Sequence, residues 1–168
     1  MENSMKIVLK ANWDEIEKVR EEGGKFLKFH GMSNDEVHSL IMIISELIEN
    51  SIKYGNFKLP NSQVSVTIAI SRGLITIEVI NPVDKTRSDH LKRLDKTIQW
   101  IRGYQDSFQA YIERLKEISK KPLRDQESGL GLVRIAYEGK AILDFFVSDN
   151  DFLNVSAVTR FDRYQEVI

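Results

Sequence analysis

The chain has no cysteine among its 168 residues. Disulfides, thiolate metal centres and cysteine nucleophiles are therefore excluded, and the composition fits a reducing compartment. It has no charge excess either: 24 basic and 25 acidic residues give a net charge of −1, so the basic footprint of a nucleic-acid-binding protein is missing. The opening stretch, MENSMKIVLKANWDEIEK, has acidic residues and no long apolar run. Neither a signal peptide nor a membrane span is expected, and a cytoplasmic location follows as the expectation. Repeats, low-complexity tracts and linkers are absent. What is present is 42% apolar and 29% charged residues, an ordinary balance for a globular protein. The length suits one domain with a real core and is short for two, so a single domain over 1–168 is expected.

The hydrophobic period changes several times along the chain. KIVLKA (6–11) alternates as a strand and ends at Asn12, which can cap a helix over 13–29 carrying Ile16, Val19 and Phe26 at helical spacing. Ser33 followed by Glu36 is a capping box, and Asp35 and Glu36 suit the positive end of a helix dipole. From there Val37, Leu40, Ile41, Ile44, Leu47, Ile48 and Tyr54 predict a half-buried helix from 34 to 54, with Gly55 as a stop. VSVTIAI (64–70) and LITIEVI (74–80), separated by SRG, read as a hairpin, and Pro82 ends the second strand. Residues 86–121 are almost all helix formers with an apolar seam that includes Leu94, Ile98, Ile101 and Phe108. They predict one long helix, or two broken near Gly103. That seam is either packed on the body of the domain or offered as a self-association or partner surface, which would make a homodimer. After a polar loop, 124–139 passes through two glycines into a short amphipathic helix, and AILDFFV (141–147) and FLNVSAVTRF (152–161) form a second hairpin across SDND. The order β-α-α-β-β-long helix-α-β-β predicts an α+β two-layer sandwich, with a mixed, mostly antiparallel sheet and the helices on one face.

The residues that could carry chemistry sit in two short stretches. In SELIENSIKYGN (45–56), Glu46 and Asn50 are four apart and so share a helix face, with Lys53 one turn further. In SGLGL, Ser128, Gly129, Leu130 and Gly131 precede or open a helix. Glycines at that point let backbone N–H groups approach a phosphate, whose charge the helix dipole stabilises. An asparagine oxygen, phosphate oxygens and waters suit Mg²⁺, which keeps much of its hydration shell. A carboxylate one turn away could accept a proton from an attacking hydroxyl or water. Either stretch alone also has a structural reading: a glutamate four before an asparagine is common on helices, and GLG is often a tight turn.

Taken in order, these stretches resemble the histidine-kinase-like ATPases, the GHKL or Bergerat fold. ELIENSIKYGN is similar to their N-box and SGLGL to their second glycine box, and the order of elements covers nearly the whole chain. The beginning, with Val19 and Arg20 on its first helix, resembles the anti-sigma-factor serine kinases. The long insertion at about 86–121 and the NP after LITIEVI are similar to the SiaB-type kinases of bacterial partner-switching systems. The resemblance implies Mg²⁺ and ATP as ligands, Glu46 as general base, Asn50 as magnesium ligand, Lys53 near the phosphates and Gly129 to Gly131 as phosphate-binding backbone. It also implies a small regulatory protein, an STAS-like antagonist or similar, as partner. One departure stands out: EVINPVDKT replaces the first glycine box, D-x-G-x-G. Asn81 stands where an adenine-reading aspartate is expected, and its side-chain oxygen can still accept from the adenine amino group. The missing glycines imply that the helical insertion replaces the usual ATP lid.

His30, His38 and His90 have no metal-ligand spacing. Asp84 and Asp89 form an acidic loop that is either solvated or an aid to magnesium binding. Trp13 and Trp100 are expected to pack. Arg124 and Arg134 flank the glycine turn, either to meet a γ-phosphate or to form surface ion pairs. Three functions stay open: a protein serine/threonine kinase, a module that sequesters a partner, and an ATP-hydrolysing switch. Keeping both Glu46 and Asn50 favours the kinase, and losing the first glycine box argues for the sequestering module.

Overall fold

The computed structural model describes residues 3–120 and 130–161. Ser128, Gly129 and Arg124 lie outside them, as do Lys121 and Pro122. The elements run β1 (Ser4–Lys10), α1 (Asp14–Phe29), α2 (Asn34–Tyr54), β2 (Gln63–Ser71), β3 (Leu74–Pro82), α3 (Asp89–Arg102), α4 (Ser107–Ser119), α5 (Leu130–Tyr137), β4 (Ile142–Val147) and β5 (Phe152–Arg160).

Local chemistry accounts for most boundaries. Asn12 Oδ1 accepts from the Asp14 amide at 3.0 Å, at the start of α1. Ser33 and Glu36 form the reciprocal capping box on α2, with contacts of 3.2 and 2.6 Å. The turn from β2 to β3 places Arg72 and Gly73 at φ of 49° and 75°, the left-handed pair that matches the twist of a two-residue hairpin. The insertion is two helices: α3 ends at Gly103, and Asp106 Oδ1 caps α4 by accepting from the Phe108 amide at 2.9 Å. Trp13 departs from expectation, being 52% exposed. It precedes the first turn of α1, ahead of the core-facing stripe that begins at Ile16.

The five strands form one sheet in the order β1-β2-β3-β5-β4. Every pairing is antiparallel, which corrects the expectation of a mixed sheet. The reason lies in the connection after β1. Two successive helices, not one, separate β1 from β2, so the chain re-enters the sheet running against β1; a parallel neighbour needs a single crossover. Pro82 lies inside the last pair of β3, opposite Phe152, so β3 runs two residues past the expected end.

One face of the sheet builds the core. Ile7, Val66, Val79 and Val155 lie in one cross-strand row, and Ile68, Ile77, Ala157 and Leu143 in the next; all are buried. Against them pack Val19 and Leu27 of α1, Leu40, Ile44, Leu47 and Ile48 of α2, and Leu132 and Ile135 of α5. The architecture is thus the expected two-layer α+β sandwich. Ile98 of α3 is 2% exposed within this core, with Leu91, Leu94 and Ile101 partly buried against it. The α3 part of the insertion seam is therefore spent on packing within the chain. Arg102 at its end donates to the Leu143 carbonyl at 2.6 Å, occupying the open edge of β4 with a charged group.

Candidate functional site

A cavity of about 610 Å³ lies between α2, the ends of β3 and β5, the insertion and the start of α5. Glu46, Glu49, Asn50, Lys53 and Tyr54 of α2 form one wall, and Val79, Asn81, Leu153 and Val155 form the floor. His90, Lys96, Thr97 and Trp100 of α3 and Arg114 and Glu117 of α4 close the opposite side, while Leu130, Gly131 and Arg134 of α5 complete it. Six of the eight residues singled out in the sequence thus line one space: Glu46, Asn50, Lys53, Asn81, Leu130 and Gly131. Ser128 and Gly129 fall outside the described residues.

Helix periodicity explains the α2 wall. Leu40, Ile44, Leu47, Ile48 and Ser51 are buried, and the adjacent flank carries Glu46, Asn50 and Lys53 one turn apart. Asn81 reaches the floor because it lies in register with Leu153 near the end of β3, on the same side as Val79. It is 1% exposed, and its Nδ2 donates to the Pro82 carbonyl at 3.0 Å.

Glu46 is the most constrained member of the set. Arg134 Nη1 donates to Glu46 Oε1 at 2.8 Å, and the same guanidinium pairs with Glu138 at 3.2 Å. Burial pushes the Glu46 carboxyl above its usual range; Arg134 opposes that rise, and Glu49 and Glu138 add to it. The net direction is upward, with burial the largest single cause and the two neighbouring carboxylates acting in the same sense against the arginine. Gly131 is fitted against this carboxylate, since a Cβ there would overlap Glu46 Oε2. Arg134, expected at a surface ion pair or a γ-phosphate, is instead paired with Glu46 as well as with Glu138. Glu46 and Arg134 are 88 positions apart, and the only local signal is that Arg134 lies three residues after Gly131, on the same face of α5.

The insertion supplies residues no motif pointed to. Trp100 packs edge-on against Tyr104 at 4.8 Å and carries the Arg114 guanidinium 4.6 Å above its ring. Arg114 Nη1 pairs with Glu117 at 3.0 Å, while its buried Nε has no partner among the described residues. His90 stacks on Tyr54 at 6.0 Å. By contrast Asp84 and Asp89 do not line the cavity; Asp84 accepts from the Thr86 amide and hydroxyl at 2.9 and 2.5 Å, a local turn that holds its carboxyl below the usual range.

The lining carries basic groups on Lys53, Lys96, Arg114 and Arg134 beside the carboxylates of Glu46, Glu49 and Glu117, an arrangement suited to a polyanion. Among the described residues no three His, Cys, Asp or Glu side chains gather as a metal cage. Asn50 offers a neutral side-chain oxygen on the α2 wall, a kind of donor compatible with a cation that keeps most of its waters. No helix among the described residues is long and apolar enough to cross a membrane.

No family model matches the chain, and no curated protein matches it by sequence. Among solved structures it is similar to a chain in the crystal structure of the SiaB–SiaC complex from Pseudomonas aeruginosa, with a TM-score of 0.70 and 21% identity over 92% of this chain and 88% of the other. At that identity the likeness establishes a shared fold.

Proposed function

We propose that the protein is a Mg-ATP-dependent serine/threonine kinase of the GHKL type, acting on a small regulatory partner protein. The observation that carries this reading is the convergence of Glu46, Asn50, Lys53, Asn81, Leu130 and Gly131 on one cavity, from stretches that are far apart in the sequence. A phosphoryl-transfer site needs a base, a magnesium donor, cationic groups and an approach for phosphates, and it works mainly by positioning and charge neutralisation. Asn50 would hold the magnesium ion, whose chemistry there is to neutralise charge on the phosphates. Lys53 and Lys96 attract the polyphosphate, and Asn81 reads the base edge from the floor. The α3–α4 insertion, standing where the ATP lid would be, closes the cavity from above.

Glu46 accepts the proton of the partner's serine or threonine hydroxyl as its oxygen bonds to the γ-phosphorus. The bond from that phosphorus to the β–γ bridging oxygen breaks, and ADP leaves. Burial makes Glu46 a stronger base than an exposed glutamate, in the direction such a role requires. The regulatory setting draws support from the neighbour of shared fold, whose structure is of a two-protein complex.

A thermal-shift titration with ATP and ADP, with and without Mg²⁺, tests the reading. A magnesium-dependent rise in Tm that Asn50→Ala removes is the expected result, because a ligand that binds only the folded state stabilises it by mass action. A flat response at millimolar nucleotide would reject it. That outcome favours a second reading, a module that sequesters its partner and binds nucleotide weakly or not at all. The absent first glycine box in EVINPVDKT and the arginine already paired with Glu46 speak for it.

A further inference from the structure

We propose that α5 clamps Glu46 at two points, with Gly131 seating one carboxylate oxygen and Arg134 holding the other, so that Arg134 is a positioning residue for the proton acceptor. The inference rests on the reading of Glu46 as the base. Its geometry is independent of any ligand. Arg134 Nη1 lies 2.8 Å from Glu46 Oε1, while Glu46 Oε2 faces the bare Cα of Gly131 so closely that a Cβ there would require the carboxylate to move.

Gly131 and Arg134 are one turn apart, so a single face of α5 makes both contacts. Arg134 is itself held, because its Nη2 and Nε meet the two oxygens of Glu138 at 3.2 and 3.4 Å. A planar guanidinium shared between two carboxylates fixes direction as well as charge, which a lysine cannot reproduce. The charged groups around Glu46 are Glu49 on its own helix, Arg134 and Glu138 on α5, and, lining the same cavity, Lys53 of α2, Arg93 and Lys96 of α3 and Arg114 and Glu117 of α4. Arg134 is the largest of the influences that oppose the burial of Glu46. Arg134 thus lowers the basicity of Glu46 while fixing where its carboxylate points, which is a positioning role and not an activating one.

The test has two readouts on the full chain. The first is the exchange rate of the Arg134 Nη1 protons, the ones donated to Glu46, by nitrogen-15 NMR, which needs no nucleotide. Slow exchange in the wild type, lost in Glu46→Ala and in Gly131→Ala, is expected; exchange unchanged in Glu46→Ala overturns the clamp. The second is phosphate release from Mg-ATP, with water standing in for the hydroxyl. Arg134→Gln is expected to lower kcat about tenfold or more, since small misplacements of a reacting group cost at least that, with nucleotide affinity held within about twofold. Arg134→Lys should recover only part of the loss, and full recovery would overturn the clamp in favour of charge alone. If Arg134→Gln does not fold, Glu138→Gln takes its place, with faster Arg134 exchange and lowered kcat expected and no change in either overturning the proposal. Wild-type protein that neither binds nor hydrolyses Mg-ATP, yet loses slow Arg134 exchange in Glu46→Ala, would leave the clamp standing and remove the kinase.

Discussion

Glu46 is subject to opposed influences: the loss of water around its carboxylate, the largest single one, acts with the nearby Glu49 and Glu138 against the attraction of Arg134, and the net direction is upward. Its folded-state pKa is therefore raised. A raised acid pKa means the folded protein holds the proton more tightly than the unfolded chain, so the stability it contributes is present below the unfolded pKa and is lost as pH rises through the folded one. Glu46→Gln, which keeps the shape and the acceptor for Arg134, is expected to have a Tm equal to the wild type near about pH 4 and higher near about pH 7. Thermal melts across that range check the sign; a variant less stable at neutral pH would mean the ion pair outweighs burial. Gly131→Ala presses on the same carboxylate and is expected to destabilise by about 1–3 kcal/mol, as overpacking does, in denaturant unfolding. Glu46, Asn50 and Lys53 could be grouped from spacing alone, because helical periodicity fixes which residues share a face. Arg134 could not be joined to them, because nothing local in a sequence records which side chain an arginine will meet across a fold.

The insertion shows how far an apolar period can be taken. Its seam of Leu94, Ile98, Ile101 and Phe108 is legible as amphipathic helix, and the break at Gly103 is legible as a glycine among helix formers. The seam's destination is not legible, since packing within the chain and association with another present the same pattern. In the fold the seam divides: Ile98 is buried in the core, whereas Phe108 is 44% exposed and also contacts Tyr137 at 5.2 Å. Ile98→Ala is therefore expected to cost about 2–5 kcal/mol, the range for deleting a buried branched side chain, read by denaturant unfolding. A loss below about 0.5 kcal/mol, typical of a surface site, would contradict the packing of α3. For α2 the capping box was readable in full, and Ser33→Ala should cost about 1 kcal/mol in the same measurement.

In the molecule as a whole the sheet and α2 carry most of the buried core, and the insertion closes the cavity from the other side. β3 and β5 have a partner on both edges and buried inner rows, whereas in α3 and α4 only Ile98 and Ala110 are buried. Hydrogen exchange is expected to be slowest in β3 and β5 and faster in α4, with α3 and α4 slowing when Mg-ATP is added. Uniform protection without nucleotide would argue against an insertion that acts as a cover. The alternation of strands, the period of the helices, the capping box and the hairpin turn were set by short-range chemistry, so the order of elements and the two-layer class could be read directly. The stretches 45–56 and 128–132 could likewise be read as candidates. The tertiary structure alone decided that the sheet is antiparallel throughout, that the α3 part of the insertion packs inward over the cavity, and that Glu46 is paired with Arg134. Each of these depends on contacts between segments far apart in the chain, where burial and charge act through space and local pattern carries no record of the partner.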